Sequence, residues 1–286
     1  MTNKPSQFKA VFSDTKWSDD FYRFLQVIFH LYPEDKFHHL IAKTAKEKVS
    51  DEEIFRSVQH NLPKIKPFLS ELTFALPALK KQKKEMSNQV LQLLGNKTTI
   101  DGYLEIGSTG RYISELKKHI KLKGKIFLTN DIEPSNAIGD IMERGQFRKM
   151  GRFFNLNNYQ PITQAEIADE SIDLVTCHIG LHHCPPDLLE GYLKSIKRIL
   201  RKDGLFIIRD HDVKTDEMAT FVSLVHTVFN LGLKVSWDID KTEFKSFKPV
   251  EEWAAIISSY GFQDMGKRIL QERDPSDNTL MGFIKL

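Results

Sequence analysis

Between Ile100 and Asp131 the spacing of apolar residues changes twice. Ile100, Tyr103, Leu104 and Ile106 make a short run, Ile113, Leu116 and Ile120 follow at helical spacing, and Ile126 to Leu128 form a second run closing on Asp131. Gly124 stands where the helix would stop. This pattern predicts strand, helix, strand. Two parallel strands joined by a helical crossover make half of a nucleotide-binding α/β fold. Ligands in such sheets lie beyond the carboxyl ends of the strands, where the turn Gly107-Ser108-Thr109-Gly110 and the acid Asp131 fall.

Before this unit, residues 1–99 read as helices. Phe21, Phe24, Leu25, Ile28 and Leu31 share one face of a helix that Pro33 ends, and FHHLIAKTAKE makes a second. Ser50 with Glu53 three positions later is a capping box opening a third. A longer helical stretch from Phe68 is interrupted at Pro77. After Asp131 the pattern predicts a loop, a helix to about Met150 and a short strand over GRFFNLNNY. SIDLVTCHIG reads as a fourth strand, PPDLLEGYLKSIKRILRKDG as a helix closing on basic residues and Gly204, and LFIIRDHD as a fifth strand. Two further helices precede two terminal strands, QDMGKRILQE and NTLMGFIKL, joined through the turn RDPSDN.

The chemistry of the first unit suits an adenosine. Glycine in the strand-to-helix turn removes the Cβ that would hold a ligand off the backbone. Asp131, at about the 20-residue spacing expected after such a turn, is placed to accept hydrogen bonds from both ribose hydroxyls. A dinucleotide fingerprint, G-x-G-x-x-G, is absent, and so is the Gly-Lys-Ser/Thr of a phosphate-binding loop. Glu105, just before the turn, disfavours a pyrophosphate and suits an adenosine that carries positive charge.

YLEIGSTGRY, then LTNDIEPS, then SIDLVTCHIGLHHCPPDLLEGYLKSIKRILRKDGLFIIRDHDV resemble the class I S-adenosylmethionine-dependent methyltransferases over roughly the last two-thirds of the chain. The resemblance implies an α/β fold. Its seven-stranded Rossmann-like sheet is mostly parallel with an antiparallel last strand, and residues 98–286 would carry it behind an all-helical cap over 1–97. It implies S-adenosylmethionine as cofactor, with Glu105, Gly107, Ser108, Thr109 and Gly110 around the turn and Asp131 and Ile132 at the tip of the second strand. Asn155, or Asn157 beside it, would take the adenine amine, and the backbone at His178 and Ile179 would line the methionine end. One departure stands out: the family's turn reads acid-x-Gly-x-Gly-x-Gly, and this one is a residue shorter, with Thr109 and Arg111 at alternate glycine positions.

Methyl transfer from a sulfonium needs positioning and, for many acceptors, removal of a proton. His211, closing the fifth strand beside Asp210 and Asp212, is the candidate base; the plain alternative is a helix cap or a surface pair with Asp212. His182 and His183, in the Leu-His-His that the family places in the site wall, are further candidates, one facing the acceptor and the other packed. Cys177, Cys184 and the three histidines between them raise a zinc reading. It is set aside because no second ligand pair occurs elsewhere, so no metal is expected. Trp237 is a candidate wall of the acceptor pocket, with Tyr112, Phe244, Phe247 and Trp253 more ordinary as core.

Composition narrows the picture little. At 286 residues, 41% hydrophobic and 28% charged, the chain is globular, and a net charge of +3 demands no nucleic acid. Lys80, Lys81, Lys83 and Lys84 read either as an anion contact or as a solvated helix face. Two cysteines, no apolar leader and no long apolar run point to a reducing, cytoplasmic setting without a membrane span. The expected activity is methyl transfer to oxygen or nitrogen of a small or medium organic acceptor. The alternatives are a protein or RNA acceptor docked on the basic cap, or an inactive binding scaffold.

Overall fold

The computed structural model describes residues 5–29, 31–66, 76–137, 140–141, 144 and 147–286. Its strands are β1 (Thr99–Ile106), β2 (Lys121–Asn130), β3 (Arg152–Asn155), β4 (Ile172–Cys177), β5 (Leu200–His211), β6 (Phe262–Leu270) and β7 (Asn278–Lys285). They form one seven-stranded sheet in the order β3-β2-β1-β4-β5-β7-β6. β1 pairs in parallel with β2 and β4, β2 with β3 and β4 with β5, while β6 and β7 are antiparallel. The strand order therefore reverses between β1 and β4, and a crevice at their carboxyl ends is where a doubly wound sheet takes its ligand.

Contacts divide the chain into two compact units, Met1–Lys80 with His211–Phe247 and Gln271–Asn278, and Lys81–Asp210 with Lys248–Leu270 and Thr279–Leu286. The second unit holds most of the sheet. One face packs Ile106, Val175, Phe206 and Ile208 against Tyr192, Ile196, Trp253 and Ile257. The other packs Tyr103, Leu128, Leu174 and Ile207 with Val90 and Leu93 of the helix Leu76–Leu94. Cover on both faces explains why the parallel strands read as continuous apolar runs rather than alternating ones.

The first unit is helical. Its core joins Phe8, Phe21, Phe24, Phe37, Ile41, Phe55 and Val58 with Phe221, Val222, Leu224, Val225, Val228 and Leu231 of the helix Asp216–Gly232. The latter helix is apolar on most of its circumference, so it needs cover on more than one side. Residues after the fifth strand thus share a core with the N-terminal helices. The helix Leu76–Leu94 instead contributes its later residues to the sheet unit, so contacts partition the chain differently from a cut at 97/98.

Several element boundaries move. The helix expected from Ile113 to a stop at Gly124 is the single turn Ile113–Leu116, and β2 begins at Lys121, ahead of Gly124. The register slips between Asp101 and Tyr103, so Gly124 sits in a bulge of β2 rather than at a helix end. The helix expected to close at Gly204 ends at Ile199, because Leu200 is already extended and pairs with Ile172. The capping box is present: Ser50 Oγ accepts from the Glu53 N–H at 3.3 Å, and the Glu53 carboxylate accepts from the Ser50 N–H at 3.2 Å. Of the helix predicted up to Met150, Asp140, Ile141 and Arg144 are helical and residues 147–150 are not, while 142, 143, 145 and 146 lie outside the described residues, as do residues 67–75 ahead of Pro77.

Candidate active site

Glu105, near the end of β1, is fully buried. Its carboxylate accepts from the Tyr103 hydroxyl at 2.9 Å and from the Tyr112 N–H at 3.4 Å, and Tyr103 also meets Thr176 Oγ1 at 2.7 Å. Burial raises the Glu105 carboxyl above its ordinary range, against opposing hydrogen bonds from Ser108, Tyr103 and the Tyr112 backbone. The acid expected to meet a cationic ligand is thus a tie that holds the turn to the sheet.

The turn itself is tightly folded. Gly107 has φ +73°, and a Cβ there would lie 2.5 Å from the Ile179 side chain, so only glycine fits. Its N–H donates to the Thr129 carbonyl at 2.7 Å. Ser108 Oγ accepts from the N–H groups of Gly110 at 3.2 Å and Arg111 at 3.0 Å. Thr109 is buried, and its hydroxyl has no hydrogen-bond partner among the described residues.

Asp131 follows β2 and is exposed, as is the neighbouring Ile132. Asn155, the last residue of β3, donates from Nδ2 to the Asp131 carbonyl at 3.1 Å and accepts the Asn157 N–H at 2.6 Å. Asn157, Asn158 and Tyr159 are all left-handed, with φ of 49°, 53° and 62°. Each such non-glycine residue costs about 1–2 kcal/mol, and an observed run of three marks a segment held in place by its surroundings. Buried Tyr159 supplies one anchor, its hydroxyl donating to the Gly180 carbonyl at 3.3 Å. Sequence reading passed over Tyr159, although the Asn-Asn pair before it is the residue type that tolerates this conformation.

Beyond β4 the loop is clamped by Asp210. One carboxylate oxygen accepts from His182 Nδ1 at 2.7 Å and the other from the Leu181 N–H at 2.8 Å. Gly180, at φ +80°, has no room for a Cβ, which would fall 2.5 Å from the His182 ring and 2.8 Å from the Asp210 carboxylate. Of the two histidines, His182 is the packed one and His183 is half-buried, its ring 4.2 Å from that of His182. Asp210 therefore serves His182, not His211 as its sequence neighbour. Cys177 and Cys184 are buried in the apolar core, which pushes both thiols up to about 12.

His178, one residue past β4, lies against Tyr112 with ring centroids 4.5 Å apart and ring planes tilted by 58°. Although the residue is half-buried, both ring nitrogens are buried and have no hydrogen-bond partner among the described residues. Burial, then the charges of Arg209 and Arg111, push the ring down to about 3, so it is neutral at physiological pH.

In the helical unit, His211 is buried, and its Nδ1–H donates to the Ser276 carbonyl at 2.8 Å. A carbonyl only accepts, so Nδ1 carries a proton, and in the neutral ring the lone pair is on Nε2. The ring lies 5.4 Å from His226 and 6.1 Å from Phe247. His211 is neither a helix cap nor a surface partner of Asp212. Thr215 caps the following helix, accepting from the Met218 N–H at 3.2 Å, and Asp212 pairs with Lys214 at 2.6 Å. Trp237 packs on Phe55 at 5.3 Å in the helical core, and Lys83 is buried while Lys80, Lys81 and Lys84 are exposed.

A group with an adenosine and an amino-acid end fits these residues. Thr109 Oγ1 in the turn after β1, Thr129 Oγ1 in β2 and both His178 nitrogens after β4 are buried and unmatched among the described residues, and the carboxylate of Asp131, just past β2, is exposed. Buried polar groups are ordinarily satisfied, so these open atoms are compatible with pairing to a ligand's own groups.

Residues 104–208 match a family model described as a methyltransferase domain. No curated protein matches the sequence. Among solved structures, the CurJ carbon methyltransferase is similar at a TM-score of 0.50 and 13% identity, over 94% of this chain and 70% of that one. A Haloferax volcanii methyltransferase solved with the Trm112 activator is similar at 0.50 and 11% identity, over 73% and 93%. At such identities these structures speak for the fold. The matched segment runs from β1 to β5 of the sheet, so over residues 104–208 the chain resembles a class I, S-adenosylmethionine-dependent methyltransferase domain.

Proposed function

We propose that the protein transfers a methyl group to an oxygen or nitrogen of a small or medium organic acceptor. His211 supports this reading: its Nδ1–H is committed to the Ser276 carbonyl, and Nε2 carries the lone pair that a hydroxyl or amine acceptor needs as base. The bound cofactor supplies a methyl on a sulfonium, so the leaving group arrives activated. The chain's residues bind and orient. Asp131 accepts from the ribose hydroxyls, Ile132 covers the adenine, and Asn155 tethers the loop that receives the adenine amine. Glu105 keeps the turn in shape, and His182, locked by Asp210, forms the wall next to His183.

A second reading has one observation in its favour. Glu105 is sealed below the turn and Ile179 covers Gly107, as a cofactor-free binding scaffold would allow. Exposed Asp131 weighs against it. An acceptor on the basic helix is less favoured, since burial of Lys83 breaks up the cluster. Among the described residues no helix is long and apolar enough to cross a membrane.

Calorimetry with S-adenosylhomocysteine separates enzyme from scaffold, and a panel of hydroxylated and amino-bearing compounds assayed for S-adenosylhomocysteine release tests the acceptor class. Binding in the micromolar range with turnover on one of the panel is expected; absence of binding sinks the enzyme reading. Asp131→Ala is expected to weaken binding about tenfold or more, the effect of losing hydrogen bonds to a charged acceptor. Unchanged affinity in a folded variant removes Asp131 from the ribose site.

A further inference from the structure

The glycine turn has turned its donors inward. The N–H groups of Gly107, Gly110, Arg111 and Tyr112 go to the Thr129 carbonyl, to Ser108 Oγ twice and to Glu105. The helix that follows is the single turn Ile113–Leu116, which adds almost no dipole. A turn of this kind has few backbone donors left for the end of a ligand that reaches it.

His178 lies against the same segment, its ring tilted against that of Tyr112, while the next side chain, Ile179, rests on Gly107. Its two ring nitrogens are the largest unmet hydrogen-bonding capacity on one side chain there, a donor and an acceptor together in the neutral ring. An α-amino acid head offers the complement. Its ammonium donates to the bare nitrogen and its carboxylate accepts from the N–H. The nearby guanidinium charges of Arg111 and Arg209 favour the carboxylate and hold the ring neutral. A purely apolar ligand would leave both nitrogens buried and unpaired, at a cost that disfavours it.

We infer that the His178 side chain, in place of the shortened turn's backbone, reads the amino-acid end of the cofactor. The inference rests on the methyltransferase reading and goes beyond it by naming which group discriminates. It follows that selectivity for the amino-acid end resides in one side chain, whereas affinity for the nucleoside resides at Asp131 and Asn155.

Two ligands test this on the full chain. S-adenosylhomocysteine carries both ends, and methylthioadenosine keeps the nucleoside but lacks the amino acid. By titration calorimetry, His178→Ala is expected to lose about tenfold or more in affinity for S-adenosylhomocysteine and to bind methylthioadenosine as the wild type does. His178→Asn, whose amide also offers a donor and an acceptor, is expected to recover most of that loss. Retained methylthioadenosine binding also reports that the variant is folded. Equal weakening of both ligands, or unchanged S-adenosylhomocysteine binding in His178→Ala, overturns the role of His178 while leaving the methyltransferase reading intact. A wild-type protein that binds neither ligand overturns both.

Discussion

Phe221→Ala is expected to destabilise the protein by about 3–5 kcal/mol, the usual cost of deleting a large buried aromatic ring. Phe221 is wholly buried in the helix Asp216–Gly232, its ring centroid 5.2 Å from Trp17 and 6.1 Å from Phe21. The three rings come from opposite ends of the sequence, so the substitution reports whether the segment after the fifth strand shares one core with the N-terminal helices. Urea unfolding followed by far-ultraviolet circular dichroism gives the number as a shift in midpoint at constant slope. A loss below about 1 kcal/mol would be the range of surface changes and would detach this helix from the helical core.

The sheet was legible because its signal is local and strong. Runs such as Ile172–Cys177 and Leu205–Ile208 are short, apolar and bounded by turn residues, as strands covered on both faces must be. Boundaries were less legible where two structures competed for the same residues. Lys121 to Lys125 read as a helix end and a gap, yet pairing with Thr99, Ile100 and Asp101 draws Lys121, Leu122 and Lys123 into β2. The stretch Leu200 to Gly204 reads as a basic helix terminus, yet it opens β5. In both places tertiary pairing overrides local preference. No spacing rule revealed that the helix Asp216–Gly232 joins the N-terminal helices, because periodicity shows that a helix is buried and not what buries it.

At the site, sequence identified the strand ends but not how the side chains are employed. Glu105 and Asp131 were both read as ligand contacts; one is a buried tie and the other an exposed carboxylate. His211 was read with a carboxylate on either side, and one of them, Asp210, clamps His182 instead, since residues adjacent on a strand face opposite sides. His178 stood in the site only for its backbone. Its buried, unmatched ring is a property of packing that a single sequence does not display.

His211→Ala is expected to lower turnover by about 10²–10⁴-fold with S-adenosylhomocysteine affinity nearly unchanged, the effect of removing a general base. The assay is release of S-adenosylhomocysteine with whichever acceptor of the hydroxyl and amine panel reacts. The wild-type rate should fall as the pH drops through the titration of the ring, because a protonated imidazole has no lone pair to accept the acceptor's proton. His211→Asn divides the two duties of the side chain. Its amide N–H can replace Nδ1–H as donor to the Ser276 carbonyl, bonded at 2.8 Å in the native protein, but it offers no base where Nε2 stood. If proton removal is what matters, the asparagine and alanine variants are equally slow and both lose the acid limb of the pH profile. Activity kept in His211→Asn and lost in His211→Ala would make His211 a positioning residue that holds the segment around Ser276. Full activity in both would move the base to His183, since His182 is already held by Asp210.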